Sequence, residues 1–368
     1  MVKIKVDLKE RSYDILIDVD CLSSLGKVIE KNWGNDFYLI TDPLVYDLYG
    51  NEVEKGFERK IKVLEVPRGE RYKSLKEAAK LYDKLVNFGA HRDSLIIALG
   101  GGVIGDLAGF VAATYMRGIN YLQVPTTLLA QVDAAIGGKT AVNHPKCKNL
   151  IGVFHQPRLV FIDVKTITTL PAHQLRIGLA EVVKYGIIAD AEFFKFLEAN
   201  AHHLNTAAFE APDTLRASLK LWQTIVAEAA KVKAQVVEKD EFETGLRMIL
   251  NYGHTIGHAL ETLTRYRAYH HGEAVSIGMV AAAMIAERIN LCDRSEVKRI
   301  KNLLEKLGLP TEMEKLPADK IIEALKIDKK VRAGKIQFVL PERLGKVVIR
   351  NDIPLNLVKQ VLRELGAR

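Results

Sequence analysis

Cysteine is scarce in this chain: three in 368 residues, at Cys21, Cys147 and Cys292, with no C-x-x-C pair. That scarcity excludes a disulfide framework and a thiolate metal site, and it points to a reducing compartment, so the cytoplasm is the expected location. No apolar run suits a membrane either. The longest nearly apolar stretch, 274–286, falls short of the ~20 residues a span requires and reads as a buried helix. Lys and Arg outnumber Asp and Glu by 53 to 45, yet the basic residues are dispersed without a Lys/Arg block, and aromatics make up only 7%. A surface of basic clusters and stacking rings for nucleic acid is therefore not expected, whereas excess positive potential suits a small anionic substrate. Internal repeats and low-complexity tracts are missing as well. The start, MVKIKVDLKE, alternates and carries charge, which reads as a strand rather than a signal peptide.

What is present is ordinary globular composition, 48% hydrophobic and 27% charged, on a chain long enough for two cores. Strand-like pieces at 3–8 and 13–17 suit a hairpin. A helical stretch at 21–31, strands at 37–41 and 61–66, an amphipathic helix at 74–88 and a strand at 95–99 follow, with 159–162 as a last strand. Strand and helix in alternation predict a mainly parallel sheet covered on both faces. From Pro171 the pattern turns helical, over 174–185, 191–200, 215–237, 251–265, 272–290 and 296–307, before a small hairpin (335–340 with 346–350) and a final helix at 355–365. The expected architecture is an α/β N-terminal Rossmann-like domain, residues 1–165, plus a mainly α-helical C-terminal domain, residues 166–368.

Two stretches carry chemistry. In the first, Gly100, Gly102 and Gly105 fit G-x-G-x-x-G at a strand-to-helix junction. Glycine lets the backbone turn tightly and approach a diphosphate, and the helix N-terminus that follows offers unpaired N–H groups. The turn from Gly101 through Gly102, Val103, Ile104, Gly105 and Asp106 is thus a candidate cofactor cradle. One part of the dinucleotide fingerprint is missing, because no acid ends the next strand at 121–124. Asp42, ending the strand at 37–41, and Glu70, in Arg68-Gly69-Glu70-Arg71-Tyr72-Lys73, are candidate replacements; the plain alternative for each is an ordinary turn acid.

In the second stretch, NYGHTIGHALE at 251–261 places His254 and His258 one helical turn apart, and His270-His271-Gly272-Glu273 follows. Four of the ten histidines thus fall between 254 and 271. Converging imidazoles hold Zn²⁺ and similar ions, although one i, i+4 pair alone equally fits a solvated helix face. The acid best suited to join them is Glu181, in GLAEVVKYG, where burial would demand a partner and Lys184 stands one turn on. Between the two domains, PTTLLAQVDAAIGGKT carries Thr126, Thr127, Asp133 and a Gly-Gly-Lys tip at Lys139, with Arg117 and Lys148-Asn149 as further donors nearby in sequence.

Taken together, GGGVIGDLAGFVAATYMRG, VPTTLLAQVDAAIGGKTAVN, KNLIGVFHQP, GLAEVVKYG, NYGHTIGHALE, HGEAV and DKKVRAGKIQFVLP resemble, in order and over nearly the whole chain, the 3-dehydroquinate synthase family of the sugar-phosphate cyclase superfamily. Cys147 departs from the pattern, standing where the resemblance leads one to expect glycine. The resemblance implies Glu181, His254 and His271 as ligands of a divalent metal, Zn²⁺ or Co²⁺, and moves His258 from ligand to substrate site. It implies Asp133, Lys139, Asn149, Lys184, Arg247, Asn251 and His258 as the catalytic and substrate set, with Arg117 and the Lys329-Lys330 pair at the phosphate end. For NAD it implies Glu70, Lys73, Gly101, Gly102, Thr126 and Thr127, with Lys139 and Lys148 also at that site. The implied activity is conversion of 3-deoxy-arabino-heptulosonate 7-phosphate to 3-dehydroquinate and phosphate by transient oxidation at C5, phosphate elimination, reduction, ring opening and aldol closure. A homodimer is implied too. A sister cyclase, a metal-dependent NAD polyol dehydrogenase and a basic nucleic-acid-binding protein are the alternatives, separable by substrate panel, by net NADH production and by salt-sensitive nucleic-acid binding.

Overall fold

Strands β3 (Phe37–Thr41), β5 (Leu95–Gly100) and β9 (Leu159–Asp163) are buried at every position, as expected of strands covered on both faces. The computed structural model to which they belong describes residues 1–33, 36–204, 212–265, 267–327 and 336–368. Its described residues form two units, Met1–Leu170 with Pro212–Phe242 and Pro171–Ala211 with Glu243–Arg368.

The first unit is an α/β domain. Its seven-stranded sheet also includes β1 (Val2–Val6), β2 (Tyr13–Asp18), β4 (Lys62–Glu65) and β6 (Asn120–Pro125), in the order β1-β2-β9-β6-β5-β3-β4. Only β1 runs antiparallel, as the hairpin partner of β2. Period-two alternation sorts the side chains: Tyr38, Ile40, Ile96 and Ala98 enter one core with α3 (Leu75–Asn87) and α4 (Gly102–Thr114). Phe37, Leu39, Leu95 and Ile97 enter the other with α1 (Leu25–Glu30) and α2 (Pro43–Lys55). From β3 the chain steps outward to β4, then returns to β5 on the other side, so the order reverses between β3 and β5. In open α/β sheets that reversal opens a crevice at the carboxyl ends of the strands.

A hairpin of β7 (Lys139–His144) and β8 (Cys147–Phe154) completes the early part of the chain. The sequence pattern assigns no strands to 139–154. Cys147 lies in extended β8, and the left-handed residue there is Asn149 (φ 52°), so the hairpin needs no glycine at position 147.

The observed division differs from the single boundary expected near 165 in one respect. Helix α7 (Pro212–Lys239), assigned from sequence to the helical domain, packs in the first unit: Gln223 Nε2 donates to Ile17 O (3.3 Å) and Asp18 Oδ1 (3.0 Å), and Asp7 N donates to Glu238 Oε1 (2.8 Å). A stripe at Trp222, Val226 and Ala229 is buried there. Helical periodicity reveals that such a stripe exists but not which surface it covers.

The second unit is mainly helical. It contains α5 (Ala172–Ala189), α6 (Ala191–Asn200), α8 (His254–Leu263), α9 (His271–Arg288), α10 (Arg294–Lys306), α11 (Ala318–Ile327) and α12 (Leu355–Glu364), with the hairpin β10 (Phe338–Arg343) and β11 (Lys346–Arg350). No described helix in either unit is long and apolar enough to cross a membrane.

Candidate active site

In the second unit, three helices deliver one cluster. α9 packs against both α5 and α8, and glycine makes this close approach possible. A Cβ on Gly272 would stand 2.4 Å from Ile177 O of α5, and one on Gly278 would stand 1.9 Å from the carbonyl oxygen of Gly253, the cap of α8. Glu181 of α5, His254 of α8 and His271 of α9 thereby converge, with donor atoms within 4.8 Å of one another.

Each member is aimed from behind. Glu181 is fully buried and is salt-bridged through Oε2 to Lys184, itself 1% exposed, while Oε1 faces His254 Nε2 at 3.5 Å and His271 Nε2 at 3.6 Å. His254 Nδ1 lies 3.0 Å from Tyr252 O; a carbonyl only accepts, so Nδ1 carries the proton and Nε2 presents its lone pair. His271 Nδ1 faces Glu261 Oε2 at 3.3 Å.

A divalent ion fits this donor set. Two ligand atoms on one tetrahedral ion with bonds of ~2.0–2.1 Å stand roughly 3.4 Å apart. The separations of 3.5 and 3.6 Å between Glu181 Oε1 and the two Nε2 atoms match that spacing. Burial alone would lower the His271 pKa, but the carboxylates of Glu181 and Glu261 outweigh it and raise the ring to about 10. Two carboxylates around one imidazole thus hold a cation there, and an ion would take the place of the proton.

His258, one turn along α8 from His254, belongs to a second overlapping donor group with Glu261 and His271. Its ring centroid stands 5.4 Å from that of His254, but the two histidines fall in different donor groups, each shared with His271. Arg247 and Asn251 sit on a 3₁₀ turn (Leu246–Asn251). Arg247 is 1% exposed, and Asn251 Nδ2 donates to Glu243 Oε1 at 2.9 Å. Lys329 and Lys330 lie outside the described residues.

In the first unit the nucleotide candidates gather along the carboxyl ends of adjacent strands: Asp42 after β3, Glu70 and Lys73 after β4, the glycine turn after β5, and Thr126 and Thr127 after β6. No side chain caps α4, which leaves the amides of its first turn for a ligand. The cradle is tight. A Cβ on Gly101 would come within 3.1 Å of Thr127 Cγ2, and one on Gly102 within 3.3 Å of Ala134 Cβ. Gly105 serves packing instead, since its Cβ would meet the Gln123 side chain at 2.5 Å. Val103 and Ile104 continue the first turn, with Ile104 buried in the core. This cradle fits a dinucleotide diphosphate.

Lys73 is the hub of the neighbouring polar network. Its buried ammonium is salt-bridged to Asp106 of α4 and donates to Asn149 Oδ1 at 2.5 Å. Asn143 Nδ2 in turn donates to Glu70 Oε1 at 2.8 Å, and Asn149 N donates to Asn143 Oδ1 at 2.9 Å. Asp42 caps α2, accepting from Leu44 N and Val45 N at 3.1 and 3.2 Å. Arg117 (φ 67°) and Lys139 are exposed, Lys148 is half-buried, and Asp133 lies on a π-helical turn, Ala130–Ala134.

Sequence reading missed two residues. Lys233 is 5% exposed, and its Nζ stands 2.5 Å from both the backbone carbonyl oxygen and Oδ1 of Asp133. It occupies a place in the apolar stripe of α7 (222, 226, 229, 233), and a lysine at a core position of a helix is a signal that could have found it. Glu261 stands seven residues from His254, on the same helical face.

Family profiles described as 3-dehydroquinate synthase N-terminal and 3-dehydroquinate synthase C-terminal match residues 63–177 and 178–331. A 3-dehydroquinate synthase of Nostoc punctiforme is 47% identical over 367 residues, covering 98% of each chain. Among solved structures, a 2-epi-5-epi-valiolone synthase from Streptomyces hygroscopicus with NAD⁺ and Zn²⁺ bound superposes with a TM-score of 0.86 at 29% identity, covering 98% of each chain. A 2-deoxy-scyllo-inosose synthase complexed with carbaglucose-6-phosphate, NAD⁺ and Co²⁺ gives 0.84 at 28% identity, covering 99% of this chain and 100% of the other.

Proposed function

The chain belongs to the 3-dehydroquinate synthase family, and on that premise we propose how its residues divide the conversion of 3-deoxy-arabino-heptulosonate 7-phosphate into 3-dehydroquinate and phosphate. It is a phosphate-eliminating lyase that uses NAD and a divalent metal. The observation that carries this reading is 47% identity to a 3-dehydroquinate synthase over nearly the full length, against 28–30% to sister cyclases of the same fold.

Glu181, His254 and His271 hold the metal. Gly101, Gly102, Val103, Ile104, Gly105, Asp106, Glu70, Lys73, Thr126, Thr127, Lys148 and Asp42 form the NAD site, to which Lys139 also contributes. When bound, NAD⁺ supplies a reversible hydride acceptor for C5, and the metal supplies a Lewis acid for the C4 and C5 hydroxyls.

The chain's own side chains do the remaining work. Lys184 holds Glu181 through Oε2, which leaves Oε1 to the metal, and adds positive charge beside the substrate. Asp133, Lys139, Asn149, Arg247, Asn251 and His258 bind and orient the sugar acid. Arg117 and the Lys329-Lys330 pair neutralise the phosphate as it departs, and the substrate's own phosphate oxygen takes the C6 proton once C5 is a ketone. Fixed cations placed where charge develops act without reorganising, and exclusion of water protects the enol that follows. The reading extends to a cytoplasmic homodimer without a nucleic-acid or membrane partner. Three free cysteines, two of them buried, suit that compartment.

The test is phosphate release from the heptulosonate phosphate with NAD⁺ present, with nicotinamide absorbance followed in the same cuvette, with and without chelator. Chelator-sensitive release without net NADH is the expected result. Accumulating NADH would indicate a dehydrogenase, and turnover only with sister-cyclase substrates would move the chain to that branch.

A further inference from the structure

The two histidines of the metal cluster are anchored differently. Both direct Nε2 at Glu181 and both have Nδ1 engaged from behind, but His254 meets a neutral backbone carbonyl at 3.0 Å while His271 meets the carboxylate of Glu261 at 3.3 Å. Glu261 is 6% exposed, and burying a carboxylate is costly unless it is paired or hydrogen-bonded, as this one is to His271. Tyr252 O belongs to the backbone beside α8 and cannot be lost by substitution. His271 is the first residue of α9, where the chain has just entered the helix, so its ring depends on a side chain for orientation.

We propose that Glu261 is the residue that positions His271 in the metal centre: it accepts the Nδ1–H of His271, fixes that tautomer, and presents Nε2 to the ion. A carboxylate behind a ligating imidazole also makes the ring a stronger donor. The spacing follows from the helix: Glu261 lies seven residues after His254, two turns along the same face of α8, and α8 thereby supplies one ligand directly and orients another on α9. This inference rests on Glu181, His254 and His271 being the ligand set.

The experiment is a Co²⁺ titration of the apo-protein in competition with a chromophoric chelator, on the full chain, with the visible ligand-field spectrum recorded at each point. Wild type, Glu261→Gln, Glu261→Ala and His271→Ala are compared, and each apo-protein is melted alongside. Glu261→Ala should weaken Co²⁺ binding ~10–100-fold and shift the spectrum. Glu261→Gln, which keeps an acceptor oxygen but loses the charge, should fall between it and wild type, and it remains informative where the alanine variant does not fold. A lowered apo melting temperature with wild-type Co²⁺ affinity and spectrum would overturn the proposal and leave Glu261 a structural residue. Two Co²⁺ per wild-type chain with one lost in Glu261→Ala would also overturn it, making Glu261 a ligand of a second ion. Loss of Co²⁺ in His271→Ala but not in Glu261→Ala refutes the positioning role alone, whereas no Co²⁺ binding by wild type refutes the ligand set itself.

Discussion

At the strand ends of the first unit the groups proposed to cradle the cofactor's diphosphate are backbone, namely the uncapped amides of α4 and a turn in which an added Cβ on Gly101 or Gly102 would meet neighbours at 3.1 and 3.3 Å. In the second unit the proposed metal ligands are side chains, delivered by three helices and backed by Tyr252 O, Lys184 and Glu261. A cradle made of amides cannot lose a donor by substitution of a side chain and is damaged by added bulk. A site made of side chains loses its function by one truncation. The two units should therefore fail in different ways, and substitutions can separate them.

The largest effect is expected from His271→Ala, which removes one of three proposed ligands. Turnover should fall on the order of a thousandfold, the scale of losing a fixed electrostatic stabiliser. Metal content by atomic emission should fall with it, while NAD⁺ affinity by calorimetry stays at the wild-type value. Full metal content with normal turnover would remove His271 from the ligand set, and a parallel loss of NAD⁺ binding would break the separation between the units.

A smaller effect tests whether packing alone holds the helical site. Gly278→Ala deletes no ligand, but its Cβ would stand 1.9 Å from Gly253 O, so α8 and α9 must separate. Overpacking of this kind costs about 1–3 kcal/mol. Because His254 and His271 sit on the two helices that move apart, Co²⁺ affinity should drop about tenfold as well. An unchanged melting temperature with unchanged Co²⁺ affinity would show that the helices accommodate the methyl and that close packing is not what gathers the ligands.

The same contrast explains what could be read from the sequence. The glycine turn was legible because its chemistry is local: a strand, three glycines at fixed spacing and a helix start all fall within 95–115. The hairpin β1–β2, the parallel strands and the long helices were legible from period. Helix α2 was not, because its start, Asp42-Pro43, reads equally as a turn. Hairpin β7–β8 has an outer strand that is mostly exposed and lacks a clean alternation. Helix α11 also escaped notice. Membership of α7 in the first unit and the pairing of Lys233 with Asp133, 100 residues away, are tertiary facts that periodicity does not encode. The proposed ligands of the helical site were legible as residue types, with Glu181 already the acid best suited to join the histidines although it stands 90 positions from His271, whereas the placing of His258 with the substrate rather than the metal came only through the family resemblance.

The smallest effect probes Asp42, one of the two acids offered as a ribose reader at the strand ends of the first unit. Asp42 ends β3 beside the reversal of strand order, but its Oδ1 already accepts two amides as the cap of α2, with Leu44 N at 3.1 Å and Val45 N at 3.2 Å. Serine at that position would keep the cap and remove the carboxylate, whereas alanine would remove both. Asp42→Ala should therefore lose ~1 kcal/mol of stability in denaturant titration, and Asp42→Ser should lose almost none. If Oδ2 reads the ribose, both variants should bind NAD⁺ about fivefold more weakly, the worth of one hydrogen bond. Wild-type NAD⁺ affinity in Asp42→Ser would make Asp42 a helix cap alone and leave nucleotide recognition at this edge to the glycine turn, Glu70 and Lys73. That outcome would sharpen the contrast between the units, since the first would then hold its cofactor with still less help from side chains.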